Sequence, residues 1–371
     1  MKFYPIAVLA AWLGIAANAE AQPASAYAAD RAVSRYAHVI VIVEENKNFE
    51  QTLDPAIAPN MARWAKEYGS AMHFYGEVHP SEANYVALLG GDTFGIHDDD
   101  AFYCRPALVD PECHGAAAVG YVDHTVHAPH LGEQLDARGL SWKGYFEDLP
   151  APGSLNVWAG GLAPGGPEVG LYASKHSGFV NFASVQADPK RAEHLVGFDA
   201  FNADLAANRL PNFALVIPDQ CNEMHGLLIH NPPLGCDPAD VAGLIRRGDK
   251  VLGELVTKIQ ASRAWRAKAN VAIVITFDEG GDQRRDGCCA VTPEATSNYG
   301  GGHIPTIVIT NHGPRGVSDD TPYNHYSLLR TIEDAFGIME HLGHAAETDK
   351  GVVPMTSLFA VRGRRPSQRP H

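Results

Sequence analysis

The stretch His38-Val-Ile-Val-Ile-Val-Glu-Glu-Asn-Lys-Asn-Phe-Glu50 decides the fold. Its β-branched run from Val39 to Val43 predicts a strand that is buried on both faces, as in a parallel sheet. Ligands of open α/β sheets bind beyond the carboxyl ends of the strands, where Glu44, Glu45 and Asn46 would lie. Their side-chain oxygens suit a divalent cation. A strand that simply ends in a charged turn is the alternative interpretation of this segment.

A second segment repeats the pattern. The apolar run from Val271 to Phe277 is followed by Asp278-Glu279-Gly280-Gly281, and the glycines let the chain turn sharply and let a ligand approach closely. Two strands that each release oxygen donors at their carboxyl ends favour one shared cation site over chance clustering of acidic residues. Because neighbouring strand side chains face opposite ways, Glu44 would point away from Glu45, and we leave it out of the predicted site.

Strands and helices alternate along the whole chain. Further predicted strands cover residues 141–146, 213–217 and 304–310, and predicted helices cover residues 56–68, 81–89, 130–138, 239–263 and 325–336. This alternation predicts an α/β fold: a single three-layer α/β/α domain over residues 32–361 with a mostly parallel central sheet. The sequence contains no internal repeat and no obvious linker.

The N-terminus has the pattern of a secretory signal peptide over residues 1–21. Lys2 precedes an apolar core from Ile6 to Ala17, and small residues follow at the expected cleavage region. The apolar run is too short for a stable membrane-spanning helix, and no later segment is long and apolar enough. We therefore expect a periplasmic or secreted protein with no transmembrane segment in the mature chain. A retained N-terminal anchor is the alternative.

Charge excludes one class of partner. The formal net charge is −14, and the basic residues cluster only in the tail at residues 362–371. A nucleic-acid-binding surface needs a basic stripe, so we expect no nucleic acid partner. The tail itself is rich in Pro and polar residues and is predicted to be disordered.

The six cysteines agree with export, because an even count in an exported chain favours disulfides. Two pairs each flank a Pro-containing loop and are predicted to be bonded. Cys288 and Cys289 are adjacent, and they either bridge each other or stay reduced. The two predicted bonds are Cys104–Cys113 and Cys221–Cys236.

The segment His79-Pro-Ser-Glu-Ala-Asn-Tyr85 contains the candidate nucleophile, Ser81. A hydroxyl at the start of a helix lies near the positive end of the helix dipole and near free amides, which favour an alkoxide and bound phosphate. Coordination to a cation would lower its pKa further. Taken alone, Ser81 is explained more simply as the N-cap of the helix.

Together these segments resemble the bacterial phosphoesterase family of secreted acid phosphatases and phospholipases C, which belongs to the alkaline phosphatase superfamily. Any one segment is weak evidence for the family, but all of them occur in family order between about residues 38 and 340, so the resemblance is specific. The matching segments are Glu45-Asn-Lys-Asn-Phe49, His79-Pro-Ser-Glu-Ala-Asn-Tyr85, Lys175-His176, Pro218-Asp-Gln-Cys-Asn-Glu-Met-His225, Thr276-Phe-Asp-Glu-Gly-Gly281, Gly302-His-Ile-Pro-Thr306 and Asn324-His-Tyr-Ser-Leu-Leu-Arg-Thr-Ile-Glu333.

The resemblance implies an alkaline phosphatase-like fold and one divalent metal ion of unknown identity. By their match to the family pattern, Glu45, Asn46, Asp278 and Glu279 are the expected metal ligands. Ser81 is expected to be both the nucleophile and an additional ligand. Glutamate is longer than aspartate, which also occurs at the last ligand position in the family, so direct coordination by Glu279 is the weakest of these assignments.

The resemblance also assigns histidines. His176 and His225 match family residues that line the phosphate pocket, and one of them is expected to protonate the leaving oxygen, because histidine titrates near neutral pH. His303 and His325 either approach the site or make ordinary hydrogen bonds. Relatives often have Pro where Ala83 stands. The acidic run Asp98 to Asp100 is interpreted as a solvated loop, with a second cation site as the alternative.

The implied function is a secreted, metal-dependent phosphomonoesterase of the acid phosphatase type, which hydrolyses small phosphate esters through a phosphoserine. Alternatives are a phospholipase C-type phosphodiesterase acting on phospholipid head groups, although family phospholipases are usually longer, and a phosphoinositide phosphatase. A sulfatase would need a Cys-x-Pro-x-Arg motif or its serine equivalent, which Ser81-Glu-Ala-Asn84 lacks. A non-enzymatic binding protein would have lost a ligand or the nucleophile, yet every expected position is filled.

Overall fold

A computed structural model of the chain describes residues 32–99, 123–159, 170–282, 284–292 and 299–361. The strands within these ranges are β1 (His38–Glu44), β2 (Gly69–Tyr75), β3 (Trp142–Phe146), β4 (Trp158–Ala159), β5 (Tyr172–Ala173), β6 (Leu195–Gly197), β7 (Phe213–Ile217), β8 (Val271–Phe277), β9 (His303–Thr310) and β10 (Val317–Asn324).

The α-helices within the same ranges are α1 (Phe49–Thr52), α2 (Pro59–Glu67), α3 (Glu82–Gly90), α4 (Leu131–Asp136), α5 (Ala183–Ala187), α6 (Arg191–His194), α7 (Phe198–Ala206), α8 (Val241–Ala261), α9 (Arg263–Arg266) and α10 (His325–Phe336). Short 3₁₀ helices lie at Ser174–His176, Phe179–Asn181, Gly343–Ala346 and Thr348–Lys350.

The main sheet has eight strands in the order β10-β2-β9-β8-β1-β7-β3-β6. Strand β1 lies between β8 and β7 and is parallel to both, with Val41 beside Val274 and Leu215. Strand β9 runs antiparallel to its neighbours β2 and β8. The remaining neighbours are parallel. The predicted α/β fold with a mostly parallel sheet is therefore confirmed.

Helices cover the sheet and pack against one another in pairs. α2 contacts α8, and α3 contacts α10. The pairing of α2 with α8 is fixed by Asp249, whose carboxylate accepts hydrogen bonds from the backbone N–H groups of Asn60 at 3.1 Å and Met61 at 2.9 Å. These amides lie in the first turn of α2, so Asp249 supplies the cap that the α2 sequence lacks.

The predicted elements miss three strands of the main sheet. Strands β2, β6 and β10 were not predicted; β6 and β10 lie at the two ends of the sheet, and β2 lies beside β10. The sequence of β10, Val-Ser-Asp-Asp-Thr-Pro-Tyr-Asn, is polar, with an irregularity between Asp319 and Pro322. Edge strands avoid long apolar runs, so their periodic signal is weak. The single helix predicted over residues 239–263 ends at Ala261, and Ser262 caps the separate helix α9.

Cys221 and Cys236 are bonded, with their Cα atoms 4.8 Å apart, as predicted. Cys288 and Cys289 are bonded to each other, which is one of the two alternatives that the sequence left open. The predicted Cys104–Cys113 bond, the signal peptide and the basic tail lie outside the described residues. Within the described ranges, none of the helices combines the length and the apolar character needed to cross a membrane.

Candidate active site

Two neighbouring parallel strands bring the predicted oxygen donors together. Glu44 at the end of β1 pairs with Phe277 at the end of β8, so the residues that follow leave the sheet at the same edge. The backbone N–H of Asp278 donates to the Glu44 carbonyl oxygen at 3.1 Å, which extends the ladder by one residue. The backbone N–H of Asn46 donates to Asp278 Oδ1, also at 3.1 Å.

The turn after β1 is held by a buried lysine. Asn46 adopts a left-handed backbone with φ of 46°, which Asn tolerates better than most residues. The Lys47 ammonium donates to the carbonyl oxygens of Asn46 at 3.0 Å and Met224 at 2.9 Å. Burial lowers the pKa of Lys47 to about 8. Lys47 therefore fixes the turn that presents Glu45 and Asn46.

Ser81 occupies the N-cap position of α3, but its hydroxyl makes no capping hydrogen bond. Its Oγ instead lies 3.2 Å from Glu45 Oε2 and 3.1 Å from Glu279 Oε1. The Asn46 side-chain oxygen lies 3.4 Å away. The structure thus places the Ser81 hydroxyl among the residues predicted to bind the metal. The Ser81 side chain is almost completely buried.

Asn84 fixes the turn before Ser81. Its Oδ1 accepts from the backbone N–H groups of Glu77 at 2.9 Å and Val78 at 3.2 Å, and its Nδ2 donates to the Val78 carbonyl oxygen at 3.0 Å. One side chain therefore satisfies three backbone groups of the turn. This gives Asn84 of the His-Pro-Ser-Glu-Ala-Asn segment a structural role, although the sequence alone assigned it none.

The orientation of the Asn46 carboxamide tests whether these residues fit a cation. Its oxygen faces carboxylate oxygens of Glu45 and Asp278. Turned over, its NH₂ group would instead donate to Asp278 Oδ1 at 3.1 Å and Oδ2 at 3.2 Å. Oxygen atoms of Glu45, Asn46 and Glu279 surround Ser81 Oγ, and amide, carboxylate and hydroxyl oxygens are the ligands that a hard divalent cation prefers. The residues present therefore fit such an ion.

The carboxyl groups of this cluster carry strongly shifted pKa values. Burial, followed by repulsion from Glu279, raises the pKa of Asp278 to about 7. Burial and then Asp278 raise the pKa of Glu45 well above its ordinary value. Buried carboxylates that repel each other favour protons or a cation between them. Glu44 is also buried, and the charges that shift its pKa are those of Asp249, Glu147 and Lys47, not those of Asp278 and Glu279.

His79 orients Glu279 and was not among the predicted site residues. Its Nδ1 contacts Glu279 Oε2, and its Nε2 lies 3.0 Å from the Arg284 carbonyl oxygen. Although burial alone would lower the pKa of His79, its hydrogen bond with Glu279 raises it. With Oε2 held by His79, Glu279 directs Oε1 to Ser81. This contact shows how the longer glutamate side chain is positioned.

His176 and His225 lie next to the oxygen cluster. His176 Nε2 is 3.4 Å from Glu45 Oε1, and its Nδ1 is 2.7 Å from Glu223 Oε1. The rings of His176 and His225 have centroids 5.3 Å apart. Tyr85 stacks on His176 at a centroid distance of 5.7 Å, and its hydroxyl donates to Glu45 Oε1 at 2.5 Å. Glu223 and Tyr85 were not predicted as site residues.

The surroundings of both histidines favour the neutral ring. Burial, then the positive charge of Lys175, lowers the pKa of His176 well below its ordinary value and that of His225 to about 4. His225 Nδ1 faces the Gly226 carbonyl oxygen at 2.8 Å, so Nδ1 carries the proton and Nε2 is an acceptor. Among the described residues, Glu45, His176 and His225 are the one group of three acidic or histidine residues whose ligand atoms all lie within 4.8 Å of one another and could hold a metal ion.

Lys175 and Asp99 form an ion pair beside Ser81. Lys175 Nζ lies 2.8 Å from Asp99 Oδ2. Asp99 Oδ1 accepts from the backbone N–H of Glu82, the residue after Ser81, at 3.1 Å. Although burial opposes it, the Asp99 carboxylate raises the pKa of Lys175. The sequence predicted Asp99 to be part of a solvated acidic loop, but its side chain pairs with the partly buried Lys175 ammonium beside the candidate nucleophile. Asp100 lies outside the described residues.

His303 and His325 make ordinary hydrogen bonds. His303 Nε2 lies 2.8 Å from the Met72 carbonyl oxygen, and its ring stacks on Phe49 with a centroid distance of 4.5 Å. His325 Nε2 lies 2.8 Å from the Phe277 carbonyl oxygen, and its backbone N–H donates to Glu77 at 2.8 Å. His325 therefore supports the strand end that precedes Asp278, and His303 packs on a neighbouring part of the fold.

Comparison with known proteins identifies the relatives of this chain. The sequence model of the phosphoesterase family matches residues 52–339. A phosphatidylinositol-3-phosphatase of Mycobacterium tuberculosis is 29% identical over 331 residues, which cover 89% of this chain and 85% of that protein. An acid phosphatase of Aspergillus fumigatus is 28% identical over 297 residues, which cover 79% of this chain and 53% of that protein. The chain thus spans about half the length of the fungal relative.

Among solved structures, a protein of the alkaline phosphatase superfamily from Vibrio parahaemolyticus superposes with a TM-score of 0.48 and 12% identity, over 82% of this chain and 67% of that one. The family match covers most of the chain and confirms both the resemblance and the class of hydrolase predicted from the motifs.

Proposed function

The chain belongs to the phosphoesterase family, and from this premise we propose that it is a metal-dependent phosphomonoesterase that forms a phosphoserine at Ser81. The observation that supports this proposal best is the setting of the Ser81 hydroxyl. It is buried, makes no capping bond and lies within 3.4 Å of oxygen atoms from Glu45, Asn46 and Glu279.

In the proposed reaction the substrate is held by donors around Ser81. The backbone N–H of Glu82 lies at the start of α3, where the helix dipole favours anions, and Lys175 supplies a positive charge nearby. These groups would bind phosphoryl oxygens once the Asp99 carboxylate moves away. A divalent cation held by Glu45, Asn46, Asp278 and Glu279 would stabilise negative charge on the Ser81 oxygen and on the phosphoryl group.

The chemistry then follows two displacements at phosphorus. Ser81 Oγ forms a bond to phosphorus as the bond to the alcohol oxygen breaks. In this step the Ser81 hydroxyl gives up its proton and the alcohol oxygen takes one up, so no net proton is consumed. Water then attacks the phosphoserine, so that Ser81 regains its hydroxyl and phosphate is released. We propose that His225, whose ring lies beside that of His176, gives the proton to the alcohol. A bound phosphate dianion would raise the pKa of His225 from about 4, so that Nε2 is protonated before the alcohol leaves.

The relatives support a substrate class, and a disulfide supports a location. The similar proteins include acid phosphatases and a phosphatidylinositol-3-phosphatase, so phosphate monoesters, including lipid monoesters, are the proposed substrates. The disulfide between Cys221 and Cys236 supports an oxidising compartment, and we propose that the protein is periplasmic or secreted.

The test replaces Ser81 with Ala. Because no capping bond is lost, Ser81→Ala should remain folded, while turnover of phosphate monoesters should fall at least about a thousandfold, since both the attacking oxygen and one metal ligand are removed. Ser70→Ala is the matched control, because Ser70 is a buried serine on β2 whose hydroxyl has no hydrogen-bond partner within the described residues. It should keep wild-type turnover.

Two further measurements separate the parts of the proposal. Phosphate trapped at low pH on a peptide containing Ser81 would support the covalent step directly. Near-normal turnover by folded Ser81→Ala protein would remove it. Dialysis against a chelator should abolish activity and lower the melting temperature, and added divalent ions should restore both. Full activity in protein verified as metal-free would overturn the metal requirement.

A further inference from the structure

One loop of the chain presents fully exposed leucines next to the candidate active site. The Cys221–Cys236 loop comprises residues 221–236. Leu228 is 91% exposed and Leu234 is 97% exposed, with Ile229 at 37%. Single apolar side chains are common on protein surfaces, but three large ones within seven residues of one loop are characteristic of an interaction site.

The Cys221–Cys236 loop is held in a defined shape. Its disulfide closes the two ends, and the backbone N–H of Leu227 donates to the Cys236 carbonyl oxygen at 2.9 Å. Arg247 of α8 donates to the Leu234 carbonyl oxygen at 3.0 Å and to Asn222 Oδ1 at 2.8 Å. Pro232 and Pro233 restrict the backbone further. Because the loop is anchored in this way, its leucines stay exposed instead of folding back onto the protein.

The Cys221–Cys236 loop also contributes residues to the candidate active site. Two residues of the loop lie at the site. Glu223 contacts His176, and the ring of His225 lies beside the ring of His176. Leu228 follows His225 by three positions. Any surface that the exposed leucines contact is therefore brought close to the groups around Ser81.

We propose that the Cys221–Cys236 loop inserts its exposed apolar side chains into a phospholipid membrane surface and so presents lipid phosphate monoesters to the site. This rests on the proposed phosphomonoesterase function and specifies its substrate class. The M. tuberculosis relative named for a phosphoinositide matches 89% of this chain, which supports a lipid substrate.

The chemistry of the loop favours a membrane over a protein partner. Protein interfaces rely on Trp, Tyr and Arg anchors seated in matching pockets, and leucine is under-represented among their strongest contacts. Protruding leucines need no matching shape in a fluid bilayer, where buried apolar area and attraction to anionic lipids determine binding. Arg246 is exposed on α8 and Arg247 lies against the loop, and they offset the exposed Asp237 and Asp240 that follow it, in a chain of net charge −14.

The test compares hydrolysis at a membrane with hydrolysis in solution. The variant is Leu228→Ser with Leu234→Ser, and the control is Met339→Ser, which alters another apolar side chain that is 73% exposed but lies outside the loop. The probes are phosphatidylcholine vesicles containing phosphatidylinositol 3-phosphate, and soluble p-nitrophenyl phosphate. The double variant should lose at least tenfold in vesicle sedimentation and in lipid hydrolysis, while its turnover of the soluble ester stays within twofold.

The other outcomes are equally decisive. The Met339→Ser control should match the wild type on both probes, and Leu228→Met with Leu234→Met, which keeps apolar side chains, should restore vesicle binding. Unchanged vesicle binding by the serine variant would overturn the membrane role. The role would also be overturned if the wild type and the other variants form a dimer and the serine variant does not, because the loop would then bind a second copy of the chain. Wild-type protein that binds vesicles but hydrolyses neither probe would instead refute the proposed function.

Discussion

The carboxylate of Asp99 lies where a substrate phosphate is expected to bind, and Asp99→Asn tests this competition. Its two oxygens occupy the Lys175 ammonium at 2.8 Å and the backbone N–H of Glu82 at 3.1 Å. A phosphoryl group attacked by Ser81 needs the same donors. Asn keeps the size and one acceptor oxygen of the side chain but removes its negative charge. We therefore expect the variant to bind phosphate more tightly.

The magnitude follows from electrostatics at this distance. Two unit charges about 4 Å apart interact by roughly 4 kcal/mol at an effective dielectric constant of about 20. The Asp99 side chain is 26% exposed and is able to swing towards solvent, so a quarter to a half of that energy, about 1–2 kcal/mol, is a reasonable net effect. This corresponds to roughly 5- to 30-fold tighter binding of inorganic phosphate.

The assay measures competitive inhibition by inorganic phosphate together with KM and kcat for a soluble monoester. In Asp99→Asn the inhibition constant and KM should both fall, and kcat should fall less or stay constant, because the attacking group is unchanged. Asp123→Asn is the charge-matched control, since it removes the same charge from an exposed position. Unchanged or weaker phosphate inhibition in Asp99→Asn would refute the competition between Asp99 and substrate.

Three further predictions concern protonation and covalent structure. His225→Ala should reduce kcat/KM for alkyl phosphates by about 10²–10⁴ but much less for p-nitrophenyl phosphate, whose leaving group needs no proton; equal losses on both esters would contradict the acid role. Burial lowers the pKa of His130 to about 3, whereas its ordinary pKa is about 6.5. The contribution of the buried neutral ring to the free energy of unfolding is therefore complete above pH 6.5 and is lost as the pH falls from 6.5 towards 3. His130→Asn, which still caps the Gly132 N–H, should therefore flatten the pH dependence of urea unfolding between pH 7 and 4, whereas an unchanged slope would count against this explanation. Removing the Cys221–Cys236 bond, which spans 15 residues, should lower the free energy of unfolding by about 3 kcal/mol in urea titrations, and a loss below about 1 kcal/mol would show that the loop is ordered without it.

The placement of the oxygen donors was predictable because it depends on two local signals and one general rule. β1 and β8 are both uninterrupted apolar runs, and both end in acidic residues. Parallel neighbours release their following residues at the same edge, so Glu45 and Asp278 meet once the two strands are adjacent. Adjacency itself is not encoded locally, since more than 200 residues separate the strands. The resemblance to a known family supplied that step.

The supporting contacts were not predictable in the same way. His79 reaches Glu279 and Glu223 reaches His176 only through the tertiary structure. In the sequence, Asp99 is one member of an acidic run, which normally indicates a solvated loop. Its pairing with Lys175 depends on the tertiary structure. The exposure of the leucines in the Cys221–Cys236 loop was also not predictable, because an apolar residue in a sequence indicates burial more often than exposure.

Ser81 shows most clearly what the structure adds to the sequence. From the sequence, a serine before a helix is an N-cap, and a cap hydroxyl is occupied by the amides of the first turn. Here the Ser81 backbone is helical, with φ of −55° and ψ of −51°, so its hydroxyl makes no capping bond and instead faces Glu45 and Glu279. The first amide of α3, that of Glu82, donates to Asp99 from another segment. If a substrate phosphate displaces Asp99, it takes over the same amide and the same lysine, so the helix start stays satisfied throughout. The Asp99 carboxylate is therefore the group that an incoming phosphate must displace to reach both donors.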